Sequence, residues 1–282
     1  MKDYISLLKL KIVALLVFVA LATATVAGGG LPIGERVLLL VVAGGLASAG
    51  ATVLNHYLDR DIDGVMDRTR RRPLPSGRVG YPRRVLGLGV LLIALSLPFS
   101  LRLNLYVAFY TLAGAFVYVV VYTLWLKRRT KWNIVVGGLA GSCAALAGWY
   151  AVSNQLSLLA ILLAAIVFLW TPSHFWSFAL VHRQDYERAN IPMLPVVVGE
   201  KKTAWSIMVC TTLFFVASLL LYYYRFFDHI YLVASLLLGA LFLLGNLQLC
   251  CNTTKSIAWR NYKYSGVYLM GLFLAIFLDL AI

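Results

Sequence analysis

The run LSLLAILLAAIVFLWTPSHFWSFALV at residues 156–181 contains one ionisable side chain, His174. Crossing a hydrocarbon core of roughly 30 Å takes about 20 apolar residues in helical form, so this run predicts a transmembrane span. It is apolar on every face. A β-barrel strand would instead alternate between lipid and lumen over about ten residues, and an open strand edge is excluded from lipid. Reading outward, the same pattern recurs at approximately 10–31, 37–58, 84–101, 104–126, 133–152, 203–224, 229–250 and 263–282. The expected fold class is therefore all-α: a polytopic membrane protein of nine transmembrane helices. With no internal repeat and no low-complexity linker, residues 1–282 read as a single domain.

Composition agrees with the pattern. Of 282 residues, 61% are hydrophobic and 13% charged, against roughly one-quarter charged in a soluble domain. The first apolar window is full span length and lacks a small-residue cleavage site, so it is expected to remain as the first helix. A net charge of +14 would suit nucleic acid, yet the basic residues follow the membrane. With the N-terminus inside, they divide 22 to 3 between inner and outer segments, the outer three being Arg36, Arg102 and Arg225. The positive-inside rule then places the N-terminus in the cytoplasm and Ile282 outside the cell membrane, and the lipid bilayer, not nucleic acid, is the expected partner. Cys143, Cys210, Cys250 and Cys251 lack metal-ligand spacing and read as small buried hydrophobes.

Chemistry is signalled by the acidic residues. There are 11, and seven lie in two inner segments: Asp59, Asp61, Asp63 and Asp67, then Asp185, Glu187 and Glu200. Solvated loop charge is the plain alternative. Against it, Asn55, Asp59 and Asp63 stand at i, i+4 and i+8, which lines up three oxygen donors if the second helix continues through them. Hard oxygen ligands suit Mg²⁺, which takes one or two carboxylates together with phosphate oxygens. Asp185 is placed to supply a second carboxylate wall. Arg60, Arg68, Arg72, Lys127, Arg128, Arg183 and Lys202 flank both clusters, and carboxylates mixed with such cations are what a diphosphate site requires.

The segment Asn55-His-Tyr-Leu-Asp59-Arg-Asp-Ile-Asp63 resembles the first aspartate-rich motif of the UbiA superfamily of intramembrane prenyltransferases. Four further segments resemble its heme O synthase branch: Met66-Asp-Arg68-Thr69-Arg-Arg-Arg72-Pro73-Leu74; Tyr122-Thr123 with Leu126-Lys127-Arg128; Thr171-Pro-Ser-His174-Phe-Trp; and Asp185-Tyr186-Glu-Arg-Ala-Asn-Ile191-Pro192-Met-Leu-Pro195. The wider superfamily has a second Asp four residues after Asp185; this chain has Ala189, as the heme-using branch does. Two departures stand out. Lys9-Leu10-Lys11 replaces a more usual Lys-Pro-Arg, and Ala144-Ala145 replaces a proline pair whose loss removes an expected break in the fifth helix.

The resemblance implies a nine-helix bundle and Mg²⁺-dependent transfer of a farnesyl group from farnesyl diphosphate to a vinyl group of heme b. It implies Asp59, Asp63 and Asp185 as catalytic residues, holding the metal with Asn55. Substrate contacts are implied for Lys11, Asn55, Arg68, Arg72, Tyr122, Lys127, Arg128, His174 and Tyr186. A heme-pathway membrane protein such as heme A synthase would be the natural protein partner, though no residue specifies one. A UbiA-type enzyme with a quinone-precursor or lipid acceptor, and an anion or lipid carrier, are the competing readings.

His174 is the most unusual polar residue within a span. On a continuous helix it would share a face with Asp185, about 16 Å deeper, where it either meets a porphyrin or satisfies a neighbouring helix. His56 and His182 stay open between such roles, and His229 reads as a surface residue. Tyr106, Tyr110, Tyr118, Tyr222, Tyr223, Tyr224 and the tryptophans read as packing and interface residues, and the runs at Gly44–Gly50 and Gly137–Gly141 as close helix contacts.

Overall fold

A computed structural model describes residues 2–30 and 34–281; among these, every regular element is helical. The expected ends of the first window, at 31, and of the last, at 282, lie outside the described residues. Among the described residues nine helices are long and apolar enough to cross a membrane: α1 Leu10–Gly28, α2 Glu35–Leu58, α3 Pro82–Leu103, α4 Leu105–Leu126, α5 Asn133–Tyr150, α6 Leu158–Val181, α7 Glu200–Tyr223, α8 His229–Cys251 and α9 Lys255–Ala281. The protein is a multi-pass membrane protein. The main difference from the sequence reading is α9, which starts at Lys255 and not near 263, because Thr254 caps a polar first turn by accepting the N–H of Ile257.

Helix ends follow local chemistry. Ser157 Oγ accepts the Ala160 N–H at 3.2 Å and starts α6, while Asn104 Oδ1 accepts the Val107 N–H at 2.9 Å and starts α4. Such caps satisfy donors that a helix leaves free in its first turn. Pro82 opens α3, where its missing N–H costs nothing. Neighbours in sequence pack together, and α9 closes the bundle against α6 and α1. The tightest approach is between α1 and α5, where a Cβ on Gly148 would collide with the Ala20 carbonyl oxygen; α2 and α3 also meet closely, a Cβ on Gly50 standing 2.7 Å from the Gly89 carbonyl oxygen, so only glycine permits these spacings.

Loss of the proline pair does not leave α5 unbroken. With alanines at 144 and 145, α5 instead interrupts at Gly138, between Asn133–Gly137 and Leu139–Tyr150. A Cβ on Gly137 would meet Tyr122 Cδ2 at 2.9 Å, so this glycine admits the α4 tyrosine.

Loops gather on two faces. On one face Arg128 pairs with Asp61, Arg188 with Asp67 and Arg78 with Asp3, which joins the N-terminal helix Lys2–Leu7 and the α2–α3, α4–α5 and α6–α7 connections. On the other, Arg102 pairs with Glu35 and Asp279 accepts the backbone N–H of Asp228. The segments carrying the two acidic clusters therefore lie together.

Candidate active site

The first cluster is built at the end of α2. The helix does not continue through the motif as the spacing assumed: it stops at Leu58, Asp59 has φ −90° and ψ 1°, and a short helix runs Arg60–Val65. The hydrogen-bond ladder nevertheless crosses the break, with Asp59 N–H donating to the Asn55 carbonyl at 2.9 Å and Asp63 N–H to the Asp59 carbonyl at 2.8 Å. Asn55, Asp59 and Asp63 consequently stay stacked, and each is at most 3% exposed.

Cations meet these carboxylates. Lys127 Nζ donates to Asp59 Oδ2 at 2.5 Å, and Arg72 Nη1 to Asp63 Oδ2 at 2.6 Å. Asn55 Nδ2 donates to Asp59 Oδ2 at 2.7 Å and to Thr123 Oγ1 at 3.1 Å. Its oxygen accepts from Lys9 Nζ at 2.8 Å. Lys11, the lysine the resemblance selected, is exposed on α1 and enters none of these contacts. The reason is a corner: Lys9 takes a left-handed conformation at φ 46°, rare for a residue with a Cβ, and turns the chain between Lys2–Leu7 and α1. Thr52 Oγ1 anchors that corner by donating to the Leu8 carbonyl at 2.9 Å. Burial, reinforced by Arg72 and Lys127, brings the Lys9 ammonium down to about 7.

The inner end of α4 is a π-helix over Val117–Leu126. The Lys127 N–H reaches the Tyr122 carbonyl five residues back, at 2.8 Å, and the wide turn brings Thr123 and Lys127 together against Asn55 and Asp59. Tyr118 and Tyr122 stack at 5.8 Å. Arg128, by contrast, points to the surface, forming a fork with both oxygens of Asp61 that holds that carboxyl down at about 2. This pair rims a cleft of about 390 Å³ that reaches Thr123 between Leu58 and Leu124.

Asp185 stands on the short helix Arg183–Arg188. Its oxygens accept the backbone N–H of Asp67 at 3.0 Å and of Arg68 at 3.4 Å, which ties it to the loop after the first cluster. The Arg68 guanidinium turns away, lying 5.0 Å over the Phe178 ring. Tyr186 is buried among Trp176, Ile191 and Met193. His182 ends α6 with φ −106° and ψ 24°, so the helix carrying His174 is not the one carrying Asp185, and the same-face arithmetic does not carry across that break. Burial first, then Arg68, lowers the His182 imidazole below its usual range.

Sequence reasoning passed over Lys9 and Thr123 as site residues and left the role of His56 open. Thr123 stands four residues before Lys127, a usable helical spacing. Lys9 had no signal, since its position depends on backbone at positive φ. His56 is 3% exposed and neither ring nitrogen has a partner.

The donors suit a hard cation. Asp59 Oδ1 is a buried carboxylate oxygen with no partner, and Asn55, Asp63 and Asp185 would add only oxygen ligands. Among the described residues no three His, Cys, Asp or Glu side chains converge as a closed metal cage. That fits Mg²⁺, which completes its shell from diphosphate and water.

Comparison with known proteins places this geometry. Residues 15–276 match the model of the UbiA prenyltransferase family. The chain is 42% identical over 280 residues to a protein of Symbiobacterium thermophilum named protoheme IX farnesyltransferase, covering 99% of this chain and 94% of that one. In fold it is similar to digeranylgeranylglyceryl phosphate synthase, with a TM-score of 0.82 at 19% identity, covering 99% of this chain and 98% of that one. It is also similar to a UbiA homolog from Archaeoglobus fulgidus bound to GPP and Mg²⁺, with a TM-score of 0.68 at 17% identity, covering 97% and 99%. A bundle of membrane helices, with its carboxylates and cations gathered on one face, thus meets a family likeness along nearly its whole length, and the chain belongs to the UbiA prenyltransferase family.

Proposed function

We propose that the chain is a heme O synthase, transferring a farnesyl group from farnesyl diphosphate to a vinyl group of heme b. The observation that carries this reading is the likeness, along almost the full chain, to a relative named protoheme IX farnesyltransferase.

The donor half follows from the site. Breaking the allylic C–O bond leaves negative charge on diphosphate, and stabilisation of that charge is the main task of the protein. Asn55, Asp59, Asp63 and Asp185 would hold Mg²⁺, which when bound supplies a counter-charge for the leaving diphosphate. Lys9, Arg72 and Lys127 already lie against these side chains; when the donor enters, Arg72 and Lys127 exchange carboxylate oxygens, and Lys9 the Asn55 amide oxygen, for phosphate oxygens. The Tyr118 and Tyr122 rings flank the same site and offer electron-rich faces to the allylic cation. The apolar helices keep water from capturing that cation before the vinyl π-bond attacks it. That attack joins the terminal vinyl carbon to the prenyl carbon and leaves a cation on the carbon beside the porphyrin; water adds there and gives up a proton, forming the hydroxyl of heme O, while diphosphate departs with the electron pair of the broken C–O bond.

The face that carries the site is cytoplasmic, by the 22 to 3 division of basic residues. Heme b presents two carboxylates, and Arg68 is the exposed cation beside Asp185 that can meet them. Expression in cells lacking their own heme O synthase provides the test. Extracted heme should include heme O with the parent chain and only heme b with Asp63→Asn; heme O absent from cells containing the folded parent chain would refute the proposal.

A further inference from the structure

Three of the four histidines have neighbours that account for them. His174 Nδ1 is 2.7 Å from Ser265 Oγ, and its ring packs 4.3 Å from both the Trp170 and the Tyr262 rings. His182 Nδ1 stands 4.0 Å from Asp185 Oδ2, and His229 Nδ1 3.3 Å from the Tyr222 hydroxyl. His56 differs. It is 3% exposed, and both of its ring nitrogens are buried without a hydrogen-bond partner. Taking a polar group out of water without replacing its hydrogen bonds costs stability, so an imidazole kept in this state points to a partner that arrives with a ligand.

Its place on α2 indicates which ligand. His56 precedes Asp59 by three residues and Asp63 by seven, and the backbone ladder that crosses the break at Asp59 keeps the three on one side of the chain. One turn back, Thr52 bonds the Leu8 carbonyl, so this side faces the corner that carries Lys9. The site residues beside His56 each hold a cation: Lys9 on Asn55 at 2.8 Å, Lys127 on Asp59 at 2.5 Å and Arg72 on Asp63 at 2.6 Å. The same three cations are the charges that act on the imidazole. A neutral imidazole carries one N–H and one lone pair, and with both nitrogens free either can hold the proton. Three cations and a spare N–H suit an anion with several oxygens.

We infer that His56 is a further binding residue for the prenyl donor: its N–H hydrogen-bonds a diphosphate oxygen once Lys9, Arg72 and Lys127 have turned from Asn55, Asp63 and Asp59 to phosphate. Those side chains are long, and their movement opens the sealed ring to the ligand. The inference rests on the proposed diphosphate donor and is independent of the acceptor. A hydrogen bond to an ionised group is stronger than a neutral one, and removing this one should weaken diphosphate binding about tenfold.

The test is calorimetric titration of the full chain in lipid nanodiscs with inorganic diphosphate and Mg²⁺, alongside thermal unfolding without ligand. His56→Leu removes the N–H and should lower diphosphate affinity about tenfold. Its unliganded Tm should equal or exceed the parent value, because an unpaired polar group leaves the interior. His56→Asn keeps an N–H and should bind diphosphate near the parent value. A histidine that only fills space would give the opposite pattern, with Tm lowered and affinity unchanged in His56→Leu. Should His56→Leu not fold, nitrogen NMR of the histidine-labelled parent decides: the His56 signal, assigned with His56→Asn, must move when diphosphate and Mg²⁺ are added, and a stationary signal overturns the inference. A parent that binds diphosphate while His56→Leu binds it equally well removes the inference alone. A folded parent that binds no diphosphate removes the prenyl-donor reading and this inference with it.

Discussion

Asp59 and Lys127 form the most consequential pair in the site, and removing them singly and together gives a sharp test. Their contact is 2.5 Å, with side chains 1% and 11% exposed. Breaking a buried ion pair from one side costs about 3–5 kcal/mol, because the surviving charge is left without a partner. Lys127→Met strands the less exposed group, Asp59, with only Asn55 Nδ2 as a donor, so it should cost about 4 kcal/mol in the absence of substrate. Asp59→Asn retains an acceptor for the partly exposed Lys127 and should cost about 3 kcal/mol. The double variant removes both charges and should lose no more than about 2 kcal/mol, a coupling well above the roughly 0.5 kcal/mol of independent sites. Denaturant unfolding in detergent micelles measures all three. Prenyl transfer should be lost in each of them, since stability returns in the double variant and the carboxylate proposed to hold Mg²⁺ does not. Additive single costs would refute the pairing, and transfer by the stable double variant would refute the role of Asp59.

Three other outcomes are expected. Gly137→Ala pushes a Cβ to 2.9 Å from the Tyr122 ring and should cost about 1–3 kcal/mol by overpacking, with a rise in KM for the donor checked by steady-state kinetics. In EDTA, Lys9 held at about 7 binds fewer protons folded than unfolded between there and the ordinary lysine value of about 10.4. Stability should therefore rise with pH across that window, and a Tm series should show the slope disappear in Lys9→Met. A thiol introduced at Ser76 should react with membrane-permeant reagents only; labelling of intact cells by an impermeant reagent would reverse the orientation.

Much of the architecture was legible because lipid imposes it. A span must be long, apolar and helical, so hydropathy alone located nine helices, and residues such as Ser157, Asn104 and Pro82 fall where helix starts need them. The Asn55, Asp59 and Asp63 spacing was legible as a stack, although the helix ends within it. The missed features depend on backbone departures that composition does not encode. Lys9 reaches Asn55 only through a left-handed corner and His174 is separated from Asp185 by the break at His182, whereas Thr123 could have been read from its four-residue spacing to Lys127. The break in α5 shows the opposite case: without prolines, two adjacent glycines provide the interruption.

The central claim is that diphosphate departure at the Asn55–Asp63 stack delivers a prenyl group to heme b. Purified chain should be given equimolar heme b and a quinone precursor, with farnesyl diphosphate and Mg²⁺, and the products identified by mass spectrometry. The account predicts a porphyrin that gains one hydroxyfarnesyl group, only with Mg²⁺ present, and an unmodified quinone precursor. Prenylation of the quinone precursor, with heme b recovered unchanged, would contradict it.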